Sequence, residues 1–337
     1  MSKNKYSLIA AGLVLVALGA GVHHADVFDG INAKILNPAY FFSADYDSKP
    51  SDETTRLFFV GDIMLDRGVE DKIVRYGGGD FYFPFQKMAG ALRKSDLLFG
   101  NLEGPLSDQG HDLGKLYSFR MRPEALNGLV AAGFDVLSLA NNHSDDWGRD
   151  AIADTRARLE KAGIAAIGTG NEEEAYTPRI LEINGTKFSF LAFTDFSVLP
   201  AEGVLPGAAI ADEERIISAL NEAERKSDVS VISFHFGEEY MVQPTLRQRR
   251  LVQIAVDHGA DLIVGHHPHV VGPLEFSHGV YVAYSLGNFV FDQNFSIETM
   301  TGALLEVMVR DRRIVQTRLV PVAINSHFQP ELNDEML

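Results

Sequence analysis

The sequence predicts an α/β fold with mixed sheets, and two observations support this prediction. Short apolar runs typical of buried strands recur along the chain, for example Leu57-Phe58-Phe59-Val60 and Leu262-Ile263-Val264. Stretches with helical periodicity lie between such runs, at residues 85–92, 123–132, 151–162, 211–225 and 245–258. Because strand and helix alternate, a sheet with parallel strands flanked by helices is favoured.

Two segments depart from this alternation and predict antiparallel pairs. Residues 179–194 carry Asn184-Gly185 between two apolar-rich arms, which is a strong signal for a hairpin. Residues 304–322 form two more such arms around Asp311-Arg312-Arg313. We therefore expect parallel and antiparallel strands within the same sheets.

The composition restricts the classes of function. The chain has 337 residues, of which 46% are hydrophobic and 23% charged, as in a soluble globular body of one large domain or two ordinary ones. Its formal net charge of -16 disfavours nucleic acid as a partner and repels anionic polymers in general. An anionic substrate would therefore need a local metal ion or arginine cluster. The absence of cysteine excludes disulfides and thiolate metal ligands.

The N-terminus predicts a membrane anchor. Lys3 and Lys5 precede an uncharged, largely apolar stretch at residues 6–22, at the short end of the ~17–25 residues that span a bilayer. His23 disfavours signal cleavage after Ala25, so a single-pass anchor over residues 1–25 is preferred to a secreted or periplasmic product. The positive flank predicts an extracytoplasmic body. Residues 26–54 are interpreted as a linker, 55–325 as the domain and 326–337 as a tail.

Six apolar runs end in polar clusters. In a sheet with parallel strands, ligands bind beyond the carboxyl ends of the strands, so these clusters are expected to converge on one site. The six clusters begin with the sequences Gly61-Asp62, Asn101-Leu102-Glu103, Asn141-Asn142-His143, His235-Phe236-Gly237-Glu238, Gly265-His266-His267-Pro268-His269 and Ser285-Leu286-Gly287-Asn288.

The chemistry of these clusters predicts a metal centre, and two divalent ions are preferred to one. Carboxylate, amide and imidazole ligands without thiolate suit Zn, Mn, Fe or Mg. His143 is the candidate general acid or base, and Asp62 is a candidate for both catalysis and metal binding. The predicted metal ligands are Asp62, Glu103, Asn142, His235, His267 and His269. Taken singly, Asp62 could cap a turn and His235 could be a core histidine.

Other polar residues receive weaker predictions. Arg120, His266, Asn101 and Asn288 are predicted to contact substrate, although Arg120 could also be a solvated surface side chain. Glu238 and Glu239 are candidates for orienting His235. Asp145 and Asp146 are predicted to cap a helix. Trp147 could be a cleft wall or a core residue, and Arg247, Arg249 and Arg250 are expected on an exposed helix face.

The ordered clusters, covering roughly residues 56–325, resemble the motif series of the CapA family. That family is named for poly-γ-glutamate capsule synthesis and is similar to calcineurin-like metallophosphoesterases, which implies an α/β/β/α sandwich. Asn142-His143 resembles the superfamily's Asn-His pair. The superfamily also carries a late Gly-His-x-His motif. This motif resembles either Gly265-His266-His267 with His269 following or the pair His267 and His269. Met64 stands where the superfamily usually carries a histidine.

The resemblance implies a membrane-anchored, metal-dependent hydrolase or transferase that acts on poly-γ-glutamate or a related anionic envelope polymer. The superfamily would instead imply a phosphoester substrate. Two other hypotheses are a non-catalytic anchored component that works with other capsule synthesis subunits, and a general periplasmic metallophosphoesterase.

Overall fold

Two mixed sheets stacked face to face form the centre of the protein in the structure, a computed structural model that describes residues 54–332. The larger sheet contains β1 (Thr55–Ile63), β2 (Leu97–Leu102), β3 (Val136–Ser138), β4 (Ala165–Ile167), β13 (Asn288–Val290), β14 (Thr301–Arg310), β15 (Arg313–Ile324) and β16 (Pro330–Leu332). Its order is β16-β15-β14-β1-β2-β3-β4, with β13 also paired to β1. The strands β1 to β4 are mutually parallel, whereas β14 to β16 run antiparallel.

The second sheet has six strands in the order β11-β12-β10-β9-β7-β6. They are β6 (Arg179–Ile183), β7 (Thr186–Thr194), β9 (Val229–His235), β10 (Leu262–His266), β11 (Leu274–Ser277) and β12 (Val280–Ala283). The parallel strands β7, β9, β10 and β12 form its centre. A short two-stranded pair, β5 (Thr169–Gly170) with β8 (Gly207–Ala208), lies apart from both large sheets.

The alternation of side chains along the strands builds three apolar layers. Leu57 and Phe59 of β1 join the layer between the sheets, whereas Phe58 and Val60 join the layer under helices. Phe59 packs on Phe99, 5.3 Å between ring centroids. Each fully buried side chain of this size contributes roughly 1.5–3 kcal/mol. Strands that are apolar on both faces therefore need cover on both sides, and this requirement produces the layered sandwich.

Helices supply the outer cover. The helices α1 (Arg67–Gly77), α2 (Ala89–Leu92), α3 (Ala125–Ala132) and α4 (Gly148–Lys161) accompany the larger sheet, with a 3₁₀ turn at Phe83–Phe85. The helices α5 (Glu172–Tyr176), α6 (Glu213–Lys226) and α7 (Leu246–Asp257) cover the second sheet. Asp212 caps α6 through Arg215 N, and Thr245 with Gln248 forms a capping box at the start of α7.

The predicted sandwich with two mixed sheets is confirmed, and so are both antiparallel pairs. The turn between β6 and β7 uses Asn184 and Gly185 at positive φ, as the hairpin signal required. The helices α1 and α5 were not predicted, because α1 buries only Val69 and Ile73 and α5 is one short turn. The boundary predicted at residue 325 lies short of the last strand, since β16 pairs with β15.

The predicted anchor (1–25) and nearly all of the linker (26–54) lie outside the described residues. Within residues 54–332, no helix is long and apolar enough to cross a membrane.

The register of the strands brings the polar clusters together. Asp62 in β1 is paired with both Asn101 in β2 and Asn288 in β13, and His266 in β10 is paired with His235 in β9. Glycine permits the close approach of backbones here: a Cβ at Gly61 would lie 2.0 Å from Gly287 O. The carboxyl ends of both sheets consequently present their polar residues to one place.

Candidate metal centre

Asp62 is the buried hub of the centre. Its Oδ1 accepts a hydrogen bond from Asn101 Nδ2 at 2.8 Å and lies 3.3 Å from His266 Nδ1. Its Oδ2 accepts from the backbone N–H of His267 at 3.3 Å and lies 3.3 Å from His269 Nδ1. Burial alone would raise the pKa of Asp62, but the hydrogen bonds and charges of His266 and His269 outweigh burial and hold the pKa well below its ordinary value. Asp62 is therefore a carboxylate at neutral pH.

Glu103 is the second buried acid, and within residues 54–332 neither of its carboxyl oxygens has a hydrogen-bond partner. Its Oε1 lies 3.8 Å from His143 Nε2 and 3.8 Å from His269 Nε2. Burial raises the pKa of Glu103 well above its ordinary value, despite the opposing charge of His269. A buried carboxyl group without a donor is costly unless a cation neutralises it.

Three imidazoles complete the set of possible ligands. His235 Nε2 lies 2.8 Å from Asn142 Oδ1 and 3.2 Å from His267 Nδ1. Burial, followed by the charge of His267, holds the pKa of His235 well below its usual range, and burial lowers the pKa of His267 to about 3. These two rings are therefore neutral at pH 7, the form that binds metals. For His269 the carboxylates of Glu103 and Asp62 overcome burial and raise the pKa to about 9.

The arrangement of these side chains fits divalent ions. Asp62, Glu103 and His235 each offer one ligand atom within 4.8 Å of the others, and all three are buried. Glu239, His267 and His269 form a second such group, in which Glu239 is exposed. Carboxylate and imidazole ligands beside the Asn142 amide oxygen suit Zn, Mn or Fe. The unpartnered oxygens of Glu103 support this fit independently.

Backbone strain is concentrated at the same corner. His267 has a φ of 96° and His269 a φ of 57°, a region that favours glycine. Strained residues of this kind cost about 1–3 kcal/mol each and persist where the surroundings require them. The turn therefore directs two imidazoles into the centre at a cost in stability.

His143 faces the centre with its orientation set by Asp146. The His143 Nδ1 atom lies 2.7 Å from Asp146 Oδ2, and the same oxygen accepts the backbone N–H of Phe119 at 2.8 Å. The Phe119 ring stacks on the imidazole with 3.9 Å between centroids. When Nδ1–H donates to Asp146, Nε2 is directed towards Glu103 and is free to accept a proton.

The helix-capping prediction for Asp145 and Asp146 is wrong. Trp147 occupies the N-cap position of α4 and makes no side-chain cap. Asp145 instead forms an ion pair with Lys115 and accepts the backbone N–H of Leu199 at 2.8 Å. The spacing of three residues between His143 and Asp146 was a sequence signal from which this contact with the imidazole could have been predicted.

Three residues predicted to contact substrate are fully buried behind the predicted metal ligands. Asn101 Nδ2 reaches both Asp62 and His235 Nδ1, the latter at 3.3 Å. Asn288 Oδ1 lies 2.9 Å from His269 Nδ1. His266 is fully buried beside Phe99, 6.2 Å between ring centroids. Their geometry favours a role in holding ligands over the predicted contact with substrate.

Arg120 is engaged with the protein itself. Its guanidinium lies 3.9 Å from the Trp147 ring centroid, and its Nε donates to Ser107 O at 3.0 Å. Its predicted contact with substrate remains a prediction. The three arginines of α7 form ion pairs on the surface: Arg247 with Asp195 and Glu213, Arg249 with Glu275 and Arg250 with Glu213.

Sequence reasoning missed three supporting residues. Asn141 accepts the His143 backbone N–H at 3.1 Å and donates to Leu102 O at 2.8 Å. Lys115 Nζ donates to Asn142 O at 2.7 Å and lies 3.0 Å from Asp146 Oδ1. Asp146 is the third. Only the Asn-Asn-His sequence offered a signal for Asn141, and Lys115 lies in a loop without local periodicity.

The first motif supplies no imidazole. Met64 is fully buried in the layer under the helices, and its Sδ accepts the backbone N–H of Asp66 at 3.1 Å. His235 of the second sheet instead lies within reach of the buried acids, as shown by its place in the group with Asp62 and Glu103.

Comparison with known proteins agrees with this architecture. Residues 56–293 match the family described as bacterial capsule synthesis protein PGA_cap. The chain is 35% identical over 281 residues to the PGA biosynthesis protein CapA of Bacillus subtilis (strain 168), covering 82% of this chain and 73% of that protein. It is 33% identical to the capsule biosynthesis protein CapA of Bacillus anthracis, over 81% of this chain and 68% of that protein.

A solved structure shares the fold at low sequence identity. A hypothetical protein from Thermus thermophilus superposes with a TM-score of 0.51 at 16% identity, covering 79% of this chain and 98% of that one.

The family match, the two relatives and the ordered motifs lead to one conclusion: the chain belongs to the bacterial capsule synthesis family that includes the CapA proteins.

Proposed function

We propose that this CapA-like protein is a metal-dependent hydrolase or transferase that acts on poly-γ-glutamate or a related anionic envelope polymer. The observation that carries the proposal is the buried Glu103 carboxyl group, which has no hydrogen-bond donor within residues 54–332 and faces the His143 and His269 imidazoles at 3.8 Å. As a carboxylate, such a group is stabilised by a nearby cation. The names of the relatives supply the substrate class.

The residues of the chain divide the work between binding metal and moving a proton. Asp62, Glu103, Asn142, His235, His267 and His269 would hold one or two divalent ions. A bound ion of this kind polarises a carbonyl or phosphoryl oxygen and makes a bound water a nucleophile near neutral pH. It would also offset the repulsion between an anionic substrate and a chain of net charge -16.

His143 would transfer the proton. Asp146 accepts Nδ1–H and fixes the ring, so that Nε2 takes a proton from the attacking group and returns it to the leaving amine or alcohol. Asn101 and Asn288 hold Asp62 and His269 in place through hydrogen bonds. We further propose that residues 1–25 anchor the protein in the membrane with an extracytoplasmic body.

A non-catalytic role in polymer synthesis or export is the second candidate. The two relatives are named for biosynthesis of the polymer or capsule and not for its cleavage, which favours this role. In that role the same residues would hold the end of a polymer chain for other subunits. Polymer production in cells carrying only His143→Ala separates the two candidates, because a holding site does not need proton transfer.

The direct test combines metal analysis with turnover. The purified full-length protein should bind Mn or Zn and cleave or transfer a γ-glutamyl amide or a phosphodiester. His143→Ala should reduce turnover by roughly 10²–10⁴-fold and leave the metal content unchanged. His278→Ala, which changes an exposed histidine in the turn between β11 and β12, is the matched control. Absence of bound metal, or full turnover by His143→Ala, would contradict the enzymatic proposal.

A further inference from the structure

We propose that Glu239 is a metal ligand at the mouth of the centre and that, with His267 and His269, it forms a second, outer metal position that exchanges its ion more readily than the inner one. This inference rests on the proposed metal-dependent function and refines it. One ligand atom from each of the three residues lies within 4.8 Å of the others. The sequence had suggested only that Glu239 orients His235, but His235 is held by Asn101 and Asn142.

The two groups of ligands differ in their access to water. Asp62, Glu103 and His235 are all buried, whereas the outer group pairs an exposed carboxylate with two buried imidazoles. An exposed carboxylate competes with water for its ion and keeps side-chain freedom, so its bond to the ion is the weaker one. The outer position is therefore the one that an arriving anionic substrate meets first.

The backbone is built to present Glu239 to the imidazoles. Gly237, two residues before it, has a φ of 96°, and a Cβ there would lie 2.6 Å from Gln248 Cδ. Tyr240, directly after it, has a φ of 64° and donates its backbone N–H to Pro268 O at 2.8 Å. This hydrogen bond joins the Glu239 turn to the turn that carries His267 and His269.

Strain on both turns points to a ligand. Tyr240, His267 and His269 are three non-glycine residues at positive φ within one corner of the molecule. A turn that only linked β9 to α7 would gain nothing from this strained conformation. Its structural result is a carboxylate placed beside two imidazoles.

The phenol of Tyr240 supports the carboxylate. The Tyr240 ring lies 6.3 Å from the His269 ring, between centroids, and its hydroxyl interacts with the Glu239 carboxylate. Gln293 Nε2 donates to the same hydroxyl at 3.4 Å. A carboxylate oriented by a neighbour in this way is typical of a metal ligand.

The buried acid provides independent support. His269 Nε2 lies 3.8 Å from Glu103 Oε1, and within the described chain that carboxyl group has no hydrogen-bond donor. His269 therefore lies near both acids, Glu103 and Glu239, so an ion bound by Glu239 would lie next to the inner position.

The experiment counts bound Mn²⁺ in the full-length protein and its Glu239→Gln, Glu239→Ala and Glu238→Gln variants. Glu238 is the matched control, because it is an adjacent exposed glutamate outside the ligand group. Titration calorimetry gives the number of ions and their affinities. Electron paramagnetic resonance reports whether two ions lie about 3.5–4 Å apart, since ions at that distance are spin-coupled.

We expect the unchanged protein and Glu238→Gln to bind two coupled ions of unequal affinity. Both Glu239 variants should keep the inner ion, lose the coupled spectrum and bind the outer ion at least about 10–100-fold more weakly. Two ions with unchanged affinities in the Glu239 variants would overturn the inference and leave the proposed function intact. A single ion insensitive to Glu239 would do the same. No bound ion in the unchanged protein would overturn both proposals.

Discussion

The amino-terminal and carboxyl-terminal edges of the two sheets both carry acidic residues, but their surroundings are opposite. At the amino-terminal edge, an aspartate directly precedes each of β2, β3, β9 and β10. Each one exchanges a pair of hydrogen bonds with one residue of the neighbouring strand, through its side chain and its own backbone N–H. The four pairs are Asp96 with Arg56, Asp135 with Leu98, Asp228 with Lys187 and Asp261 with Ser230, and their side-chain hydrogen bonds measure 2.7, 2.8, 2.9 and 2.7 Å.

At the carboxyl-terminal edge, Asp62 and Glu103 are fully buried among imidazoles, and Glu103 has no hydrogen-bond donor in the described range. The partly exposed aspartates of the amino-terminal edge stabilise the start of each parallel strand. Burial of Glu103 without a hydrogen-bond donor destabilises the metal-free fold, whereas the hydrogen bonds and nearby imidazoles of Asp62 keep that acid ionised. The comparison teaches that an acid paired with the backbone of a neighbouring strand supports the fold, whereas a buried acid without a donor, such as Glu103, indicates a candidate site.

The largest effect is expected from Glu103→Gln. Metal affinity and turnover should fall by on the order of 10³-fold, because the variant removes a charged ligand from the buried position. The metal-free protein should at the same time become more stable by about 1–3 kcal/mol at pH 7, since a desolvated acid without a hydrogen-bond donor is removed. Urea unfolding in the presence of a chelator measures the second effect.

The sign of the stability effect depends on pH. The pKa of Glu103 is raised in the folded state, so its carboxyl group adds no penalty below its unfolded pKa and an increasing penalty as pH rises towards the folded pKa. The stability gain of Glu103→Gln should therefore be small at pH 4 and grow towards pH 7. A loss of stability at neutral pH would show that Glu103 is partnered without metal.

Asp146→Asn should have the next largest effect. It removes the charge that orients His143, and turnover should fall by roughly 10–10²-fold with metal content unchanged. Single-turnover kinetics should locate the loss in kcat and not in KM. Asp145→Asn, one residue away and in contact with Lys115 instead of His143, provides the comparison. Equal losses in both variants would indicate a purely structural role for the pair.

A smaller effect is expected at the opposite edge. Asp261→Ala removes the acceptor for the Ser230 backbone N–H, and the free energy of unfolding should fall by about 1–2 kcal/mol. Metal binding and turnover should stay unchanged, because the residue lies at the far end of β10. Chemical denaturation and metal analysis of the same sample measure both quantities. A change in metal content would contradict the expectation that the amino-terminal edge does not affect metal binding.

The smallest effect should come from Asp261→Asn, which keeps an acceptor for Ser230. Desolvation raises the pKa of Asp261 in the folded state, so this group's contribution is lost as pH rises through the folded pKa. The variant should be as stable as the unchanged protein near pH 3 and more stable at pH 7. The difference should reach only a few tenths of a kcal/mol, because solvent screens the side chain. Thermal unfolding across this pH range measures it.

The sequence by itself determined the layered fold and most of the centre. Apolar runs that end in Asp62, Glu103 and His235 locate the carboxyl ends of buried strands, and parallel strands place those ends at one edge. Asn184-Gly185 specified a hairpin because few other residues accept its backbone conformation. These predictions depend on local chemistry and on a period of two residues, which are readable without coordinates.

Only the tertiary structure decided which acids have partners. Asp146 contacts His143 through a turn, Lys115 reaches Asn142 and Asp146 from a distant loop, and Glu239 meets His267 across two strained turns. None of these contacts follows from a periodic pattern, because each depends on where loops from different strands are held by burial and hydrogen bonds. A carboxylate's role depends on its neighbours in space, and the sequence records only its neighbours along the chain.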